Sequence, residues 1–169
     1  MSLGLVYLRP LRLAGIDALS ASEEEIQKSW ELLNRWITRK SLSRDIEIGY
    51  GLLQHSALQD GTSGSSYEAC IEVPKSVTTG EAGELKRLSL PGGAYFRRRY
   101  SGPVASMLGE LQTMRSELDR RGNVKIDLGR PIVTVLLDIK QLRSGDGLRS
   151  NLLIPARSSE MSCVSNQVA

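Results

Sequence analysis

The sequence predicts an α+β protein in which two strand–helix–strand–strand repeats share one antiparallel sheet, with helices packed on one side of it. Three observations predict this. An amphipathic helix over 22–40 is followed by two strand-like runs, Ile46–Leu53 and Tyr67–Val73. A second helix over 102–121 is followed by two more, Pro131–Ile139 and Leu148–Pro155. One long extended segment precedes each helix, Leu5–Ile16 and then Leu85–Tyr100. Duplicated units meet at a seam, and seams are common sites for small molecules.

Each element has a local cause. Ser22 with Glu25 three residues later forms a capping box, which satisfies the orphan amides at the start of the first helix. Ile26, Trp30, Leu33 and Ile37 then recur at helical spacing, with Trp36 beside them. In the first strand pair, Ile46, Ile48, Tyr50 and Leu52 share one face, and Tyr67, Ala69, Ile71 and Val73 share one face opposite Glu68, Cys70 and Glu72. Period two with one apolar face argues an antiparallel sheet covered on one side. The second helix opens at Gly102-Pro103, where a missing N–H costs nothing. It carries Val104, Met107, Leu111, Met114 and Leu118 as its apolar stripe and stops at Gly122. The run Ile132–Ile139 is apolar throughout, so it is expected to be a central strand.

The 169 residues are expected to make one domain over 1–156, with repeats at about 4–74 and 84–156 and a linker at 75–83. The Gly- and Ser-rich stretch Ser56–Ser66 is expected to be a mobile loop, and the polar, aperiodic 157–169 a flexible tail. Apolar residues make up 40% of the chain, enough for a core, and charged residues 24%, ordinary for a soluble domain. The net charge of +3 is spread along the chain, which argues against a nucleic-acid footprint. No 18-residue apolar run exists to span a membrane, and Met1–Gly4 lacks the apolar core of a signal peptide. Cys70 and Cys163 fit free thiols of a reducing cytoplasm better than a bridge.

Several chemistries are excluded on composition. A single histidine, His55, rules out any site needing two, and no ligand spacing supports a metal. Neither His55 nor Cys70 has the surroundings of a nucleophilic pair, and Gly92-Gly93 reads as a turn rather than a phosphate loop. No cofactor and no catalytic residue is therefore expected. Arg97, Arg98 and Arg99 form the densest basic run. Strand alternation sends them to two faces, which suits a charge-protected sheet edge better than a phosphate clamp. Glu68 and Glu72 read as solvated strand carboxylates or as an acidic patch in a groove.

Four segments together carry a resemblance. They are Ile48-Gly49-Tyr50; Tyr67-Glu68-Ala69-Cys70-Ile71-Glu72-Val73-Pro74; Leu90-Pro91-Gly92-Gly93-Ala94-Tyr95 with Ser101-Gly102-Pro103; and Leu152-Leu153-Ile154-Pro155. In order and spacing the chain resembles the GyrI-like small-molecule-binding family, which includes effector-binding domains of AraC-type and MerR-type multidrug regulators. The resemblance implies two units side by side, a curved sheet with both helices behind it, and a groove between the halves for amphipathic or cationic organic molecules. Groove aromatics attract delocalised cations, and a glutamate on a late strand supplies the counter-charge. Some members instead hydrolyse cyclopropane-bearing genotoxins, and others are reported to modulate DNA gyrase.

Two positions depart from that pattern. Asn151 and Thr134 stand where the family often has glutamates, and neither can neutralise a cation or act as a base at pH 7. This shifts the expected preference toward neutral or weakly polar ligands, unless Glu47 or Glu72 substitutes. The expected groove residues are Trp36, Glu47, Tyr50, Tyr67, Tyr95, Thr134 and Asn151. The expected protein is a stand-alone binder of a drug-like organic compound, a monomer or weak dimer open to a protein partner, and not itself a DNA-binding protein, because no helix-turn-helix is present. A hydrolase and a gyrase-modulating interaction module are the alternatives.

Overall fold

Both long extended segments are broken in two by a proline turn. A computed structural model describes residues 3–58, 66–74, 85–143 and 148–157. In it Leu5–Ile16 becomes β1 (Gly4–Leu8) and β2 (Leu11–Asp17), parted by Arg9-Pro10. Leu85–Tyr100 becomes β5 (Lys86–Leu90) and β6 (Gly93–Ser101), parted by Pro91-Gly92. Proline has no N–H to give to a ladder, so each strand ends there. The two turns touch: a Cβ on Gly92 would lie 2.8 Å from both the Leu8 carbonyl oxygen and Pro10 Cδ.

The remaining elements are α1 (Glu23–Arg39), β3 (Gly49–Leu53), β4 (Tyr67–Glu72), α2 (Met107–Arg120), β7 (Ile132–Leu136) and β8 (Arg149–Pro155). Half of the expected capping box on α1 forms: Ser22 Oγ accepts from the Glu25 amide, while the Ser22 amide donates to Ser20 Oγ and the Glu25 carboxylate pairs with Lys28. The first turn of the second helix is a 3-10 turn, Val104–Ser106, and Gly122 ends the helix in the left-handed region at φ +68°. The predicted strand over Ile46–Leu53 is shorter, because Ile46 turns in to join the helix-side core. The linker 75–83 and nearly all of the tail over 157–169 lie outside the described residues, as do 59–65 of the predicted loop.

The eight strands among the described residues form one curled antiparallel sheet in the order β1-β6-β8-β7-β3-β4-β2-β5. Exchanging each strand of the first half for its counterpart four later returns the same order read from the other edge. The sheet thus has an internal pseudo-two-fold axis, which passes between β3 and β7. The exchange is reciprocal at the edges: β1 pairs with β6 of the second half, and β5 pairs with β2 of the first.

Each sheet face has its own core. On one face Trp30, Leu33 and Ile37 of α1 and Leu111, Met114 and Leu118 of α2 pack on Tyr67, Ala69, Ile71, Ile132, Leu152 and Ile154. Among the described residues the other face carries a separate cluster with no helical residue in it, including Leu13, Tyr50, Leu52, Cys70, Tyr95, Val133 and Leu153. The single-face assignment of the first strand pair is corrected here. Tyr50 pairs with Cys70 and Gly51 with Ala69, and directly paired residues project to one side. The Tyr50–Leu52 row therefore faces away from the helices, while Tyr67, Ala69 and Ile71 face them. Among the described residues no helix is long and apolar enough to cross a membrane.

Candidate functional site

Of the residues expected to line a groove, three lie in the helix-side core. Trp36 is buried there, with its indole N–H unpartnered among the described residues. Tyr67 is buried beneath α1, and its hydroxyl accepts the Trp30 indole N–H at 2.9 Å. Burial pushes its phenol up to about 12. Thr134 packs beside it, 3.5 Å from the Gly51 carbonyl. A Cβ on Gly51 would meet the Tyr67 hydroxyl at 2.1 Å and Thr134 Oγ1 at 2.3 Å. One on Gly49 would meet Trp30 at 2.8 Å. The glycines flanking Tyr50 thus make room for core side chains, not for a ligand.

Tyr95 is on the helix-free face but fully buried, with the Arg130 guanidinium 4.8 Å above its ring. Arg130 is itself tied to Asp127 at 2.8 Å and to the carbonyls of Ala94 and Ala156 at 3.1 and 2.6 Å. This clamp closes the ring from solvent.

The other three expected residues lie on or beside the helix-free face, on opposite sides of the seam. One row of directly paired residues runs Cys70, Tyr50, Val135, Asn151, Arg99 across β4, β3, β7, β8 and β6. Tyr50 and Glu47 line a cleft of about 480 Å³ together with Arg9, Asp45, Ile48 and Glu72. Asn151 lines a second cleft of about 450 Å³ with Arg97, Arg99, Leu137 and Arg149. Both volumes are in the range of small-molecule sites.

The first cleft carries three carboxylates, Asp45, Glu47 and Glu72, around one phenol. Burial raises the Tyr50 pKa, with the Glu72 charge adding to it, so the ring is neutral and electron-rich near pH 7. Glu72 Oε2 accepts from Arg9 Nη2 at 2.8 Å. This pair stands between the cleft and an adjoining one of about 680 Å³ along β2 and β5, which shares Arg9, Glu72 and Val73. Among the described residues the larger space has no aromatic wall, so the smaller one has the better chemistry for recognition. Neither Arg9 nor Asp45 stood out in the sequence, since an arginine in a turn and an aspartate after a helix have no pattern of their own.

Glu68 and Glu72 do not form a joint patch. Glu68 receives Lys86 at 2.8 Å, and Lys86 also reaches Asp17 at 3.4 Å. The arginine run lies on β6, which pairs with β8 along the whole run and with β1 only as far as Arg97, so Arg98 and Arg99 lie past the end of the β1 ladder. Arg98 turns to the helices and pairs with Glu110 at 3.3 Å and with Glu117. Arg97 and Arg99 point the other way. Among the described residues no group of His, Cys, Asp and Glu could hold a metal ion.

A family model described as a GyrI-like small molecule binding domain matches residues 1–120. No curated protein matches the chain. Among solved structures the chain is similar to SAV2435 bound to tetraphenylphosphonium, at TM-score 0.61 and 13% identity over 95% of this chain and 97% of that one. It is similar to the EcmrR C-terminal domain at TM-score 0.65 and 10% identity, over 92% and 97% of the two chains. A hydrolase from Listeria innocua matches at TM-score 0.60 and 13% identity, over 92% and 91%. At such identities these structures speak to the fold.

Proposed function

Because this chain belongs to the GyrI-like small-molecule-binding family, we propose that it senses or sequesters an amphipathic organic cation in the cleft around Tyr50. The observation that carries this reading is the placement of the Tyr50 ring, Glu47 and Glu72 in one cleft on the helix-free face. A delocalised cation is attracted by a ring face, and the carboxylates supply counter-charge from the first repeat in place of the glutamates absent at Thr134 and Asn151. Ile48 and Val73 offer apolar wall, at roughly 25 cal/mol per Å² buried. That SAV2435, a protein of the same fold, holds tetraphenylphosphonium supports a ligand of this class. Glu72 is engaged by Arg9 and is a poor general base as it stands, so binding rather than hydrolysis is proposed.

Calorimetric titration with tetraphenylphosphonium tests the reading. Saturable binding is expected, weakened roughly tenfold in Tyr50→Ala and in the Glu47→Gln/Glu72→Gln pair. No heat of binding, or affinity indifferent to all three substitutions, overturns it.

A further inference from the structure

We propose that the cleft across the seam is an anion site, in which Arg97, Arg99 and Arg149 hold the acidic group of a small organic anion beside Asn151 and Leu137. Its charge is opposite to that of the first cleft, although the pseudo-two-fold axis relates the two halves of the sheet. The arginines come from adjacent strands and share the helix-free face. Arg99 pairs directly with Asn151, and Arg149 lies two residues before Asn151 on β8, so Arg99 and Arg149 are diagonal neighbours about 7–8 Å apart. Arg97 is two residues from Arg99 on the same side of β6. All three line one concavity of about 450 Å³.

None of the three has a carboxylate partner among the described residues. Several other arginines do: Arg9 has Glu72, Arg98 has Glu110 and Glu117, Arg115 has Asp119, Arg121 has Glu117 and Arg130 has Asp127. Like charges gathered on one sheet face repel, and a bound anion relieves that repulsion. Planar guanidinium forks engage carboxylate, sulfonate or phosphate oxygens in pairs. Asn151 adds an amide that can donate or accept without adding charge. Leu137 supplies apolar surface. The concave setting favours a compact anion over a nucleic-acid backbone, which needs a broader basic surface.

The test pairs 8-anilinonaphthalene-1-sulfonate with its uncharged parent, N-phenyl-1-naphthylamine, titrated into the full chain by calorimetry. The sulfonate is expected to bind saturably and at least roughly tenfold tighter than the parent. Arg99→Gln/Arg149→Gln is expected to remove that preference, with affinity for the parent unchanged, and Arg149→Lys to retain part of it. These side chains are exposed, so the variants keep the fold, which circular dichroism checks. Equal binding of the two probes, a preference that survives the double substitution, or arginine-dependent binding of duplex DNA alone overturns the proposal. The proposal does not depend on the cation site: failure of tetraphenylphosphonium with success of the sulfonate sinks only the earlier reading.

Discussion

Arg9 and Glu72, far apart in sequence, meet at 2.8 Å where the β1–β2 turn crosses the end of β4. Both side chains are largely open to water, at 65% and 41% exposure, so the pair adds little to stability. Its weight lies in position, since it stands on the boundary of two clefts and occupies one of the carboxylates offered to a cation.

Replacing Arg9 with alanine frees Glu72 and joins the two spaces. Tetraphenylphosphonium is expected to bind roughly two- to fivefold tighter to Arg9→Ala, with the melting temperature of the free protein nearly unchanged. Calorimetry and a thermal melt read the two quantities separately. Weaker binding would show that Arg9 shapes the cleft instead of competing for it.

Gly51→Ala is expected to destabilise the fold by about 1–3 kcal/mol in urea, because the added methyl must displace the Tyr67 hydroxyl and Thr134 in a closed core. Gly109, inside α2, has nothing within 4 Å of its Cβ position. Gly109→Ala should stabilise by about 0.5–1 kcal/mol through helix propensity and lost unfolded-state freedom. Equal effects at the two sites would mean that the contacts around Gly51 relax freely.

The single histidine sets a pH dependence. His55 Nε2 lies 2.7 Å from the Arg130 carbonyl and donates to it in the neutral tautomer, while Nδ1 is buried without a partner among the described residues. Burial holds the imidazole below its ordinary value; the Arg130 bond offsets part of this, while the nearby Arg115 charge adds to the lowering. The unfolded chain therefore binds the proton more readily than the native one. Stability should be full above about pH 6.5 and fall as the pH drops through that value toward the lower folded one. Urea melts between pH 7.5 and 5.5 should show this slope in the native sequence and a flatter one in His55→Gln. Glu117 and Asp127, held low by Arg98 and Arg130 respectively, lose their contributions only in more acidic solution.

Local chemistry made the helices and the duplication legible. The Ser22 cap, the Ile26–Ile37 stripe and the Gly122 stop each act within a turn or two of chain. Register was not legible. A one-residue slip moves every side chain of a strand to the other face, and nothing in Ile46–Leu53 or Tyr67–Val73 alone says that Tyr50 meets Cys70. Hence Tyr67 and Thr134, expected in a groove, lie under the helices, and Tyr50 does not. Trp36 was ambiguous because its place beside the α1 stripe fits either surface. The acidic cleft was half legible: Glu47 and Tyr50 stood out, but Arg9 arrives through a turn whose path depends on long-range pairing. The sequence places the arginine run at an edge because nothing in it says that β1 crosses over to pair with β6 as far as Arg97.

That crossing binds the two halves like clasped hands. Each half lends its first strand to the other's sheet and borrows one in return, so a fragment cut out at either side of 75–84 would lose a strand and expose the bare flank of another. Separately expressed fragments should be unstable alone and recover on mixing. Any molecule settling along the seam rests on a surface that both halves build together.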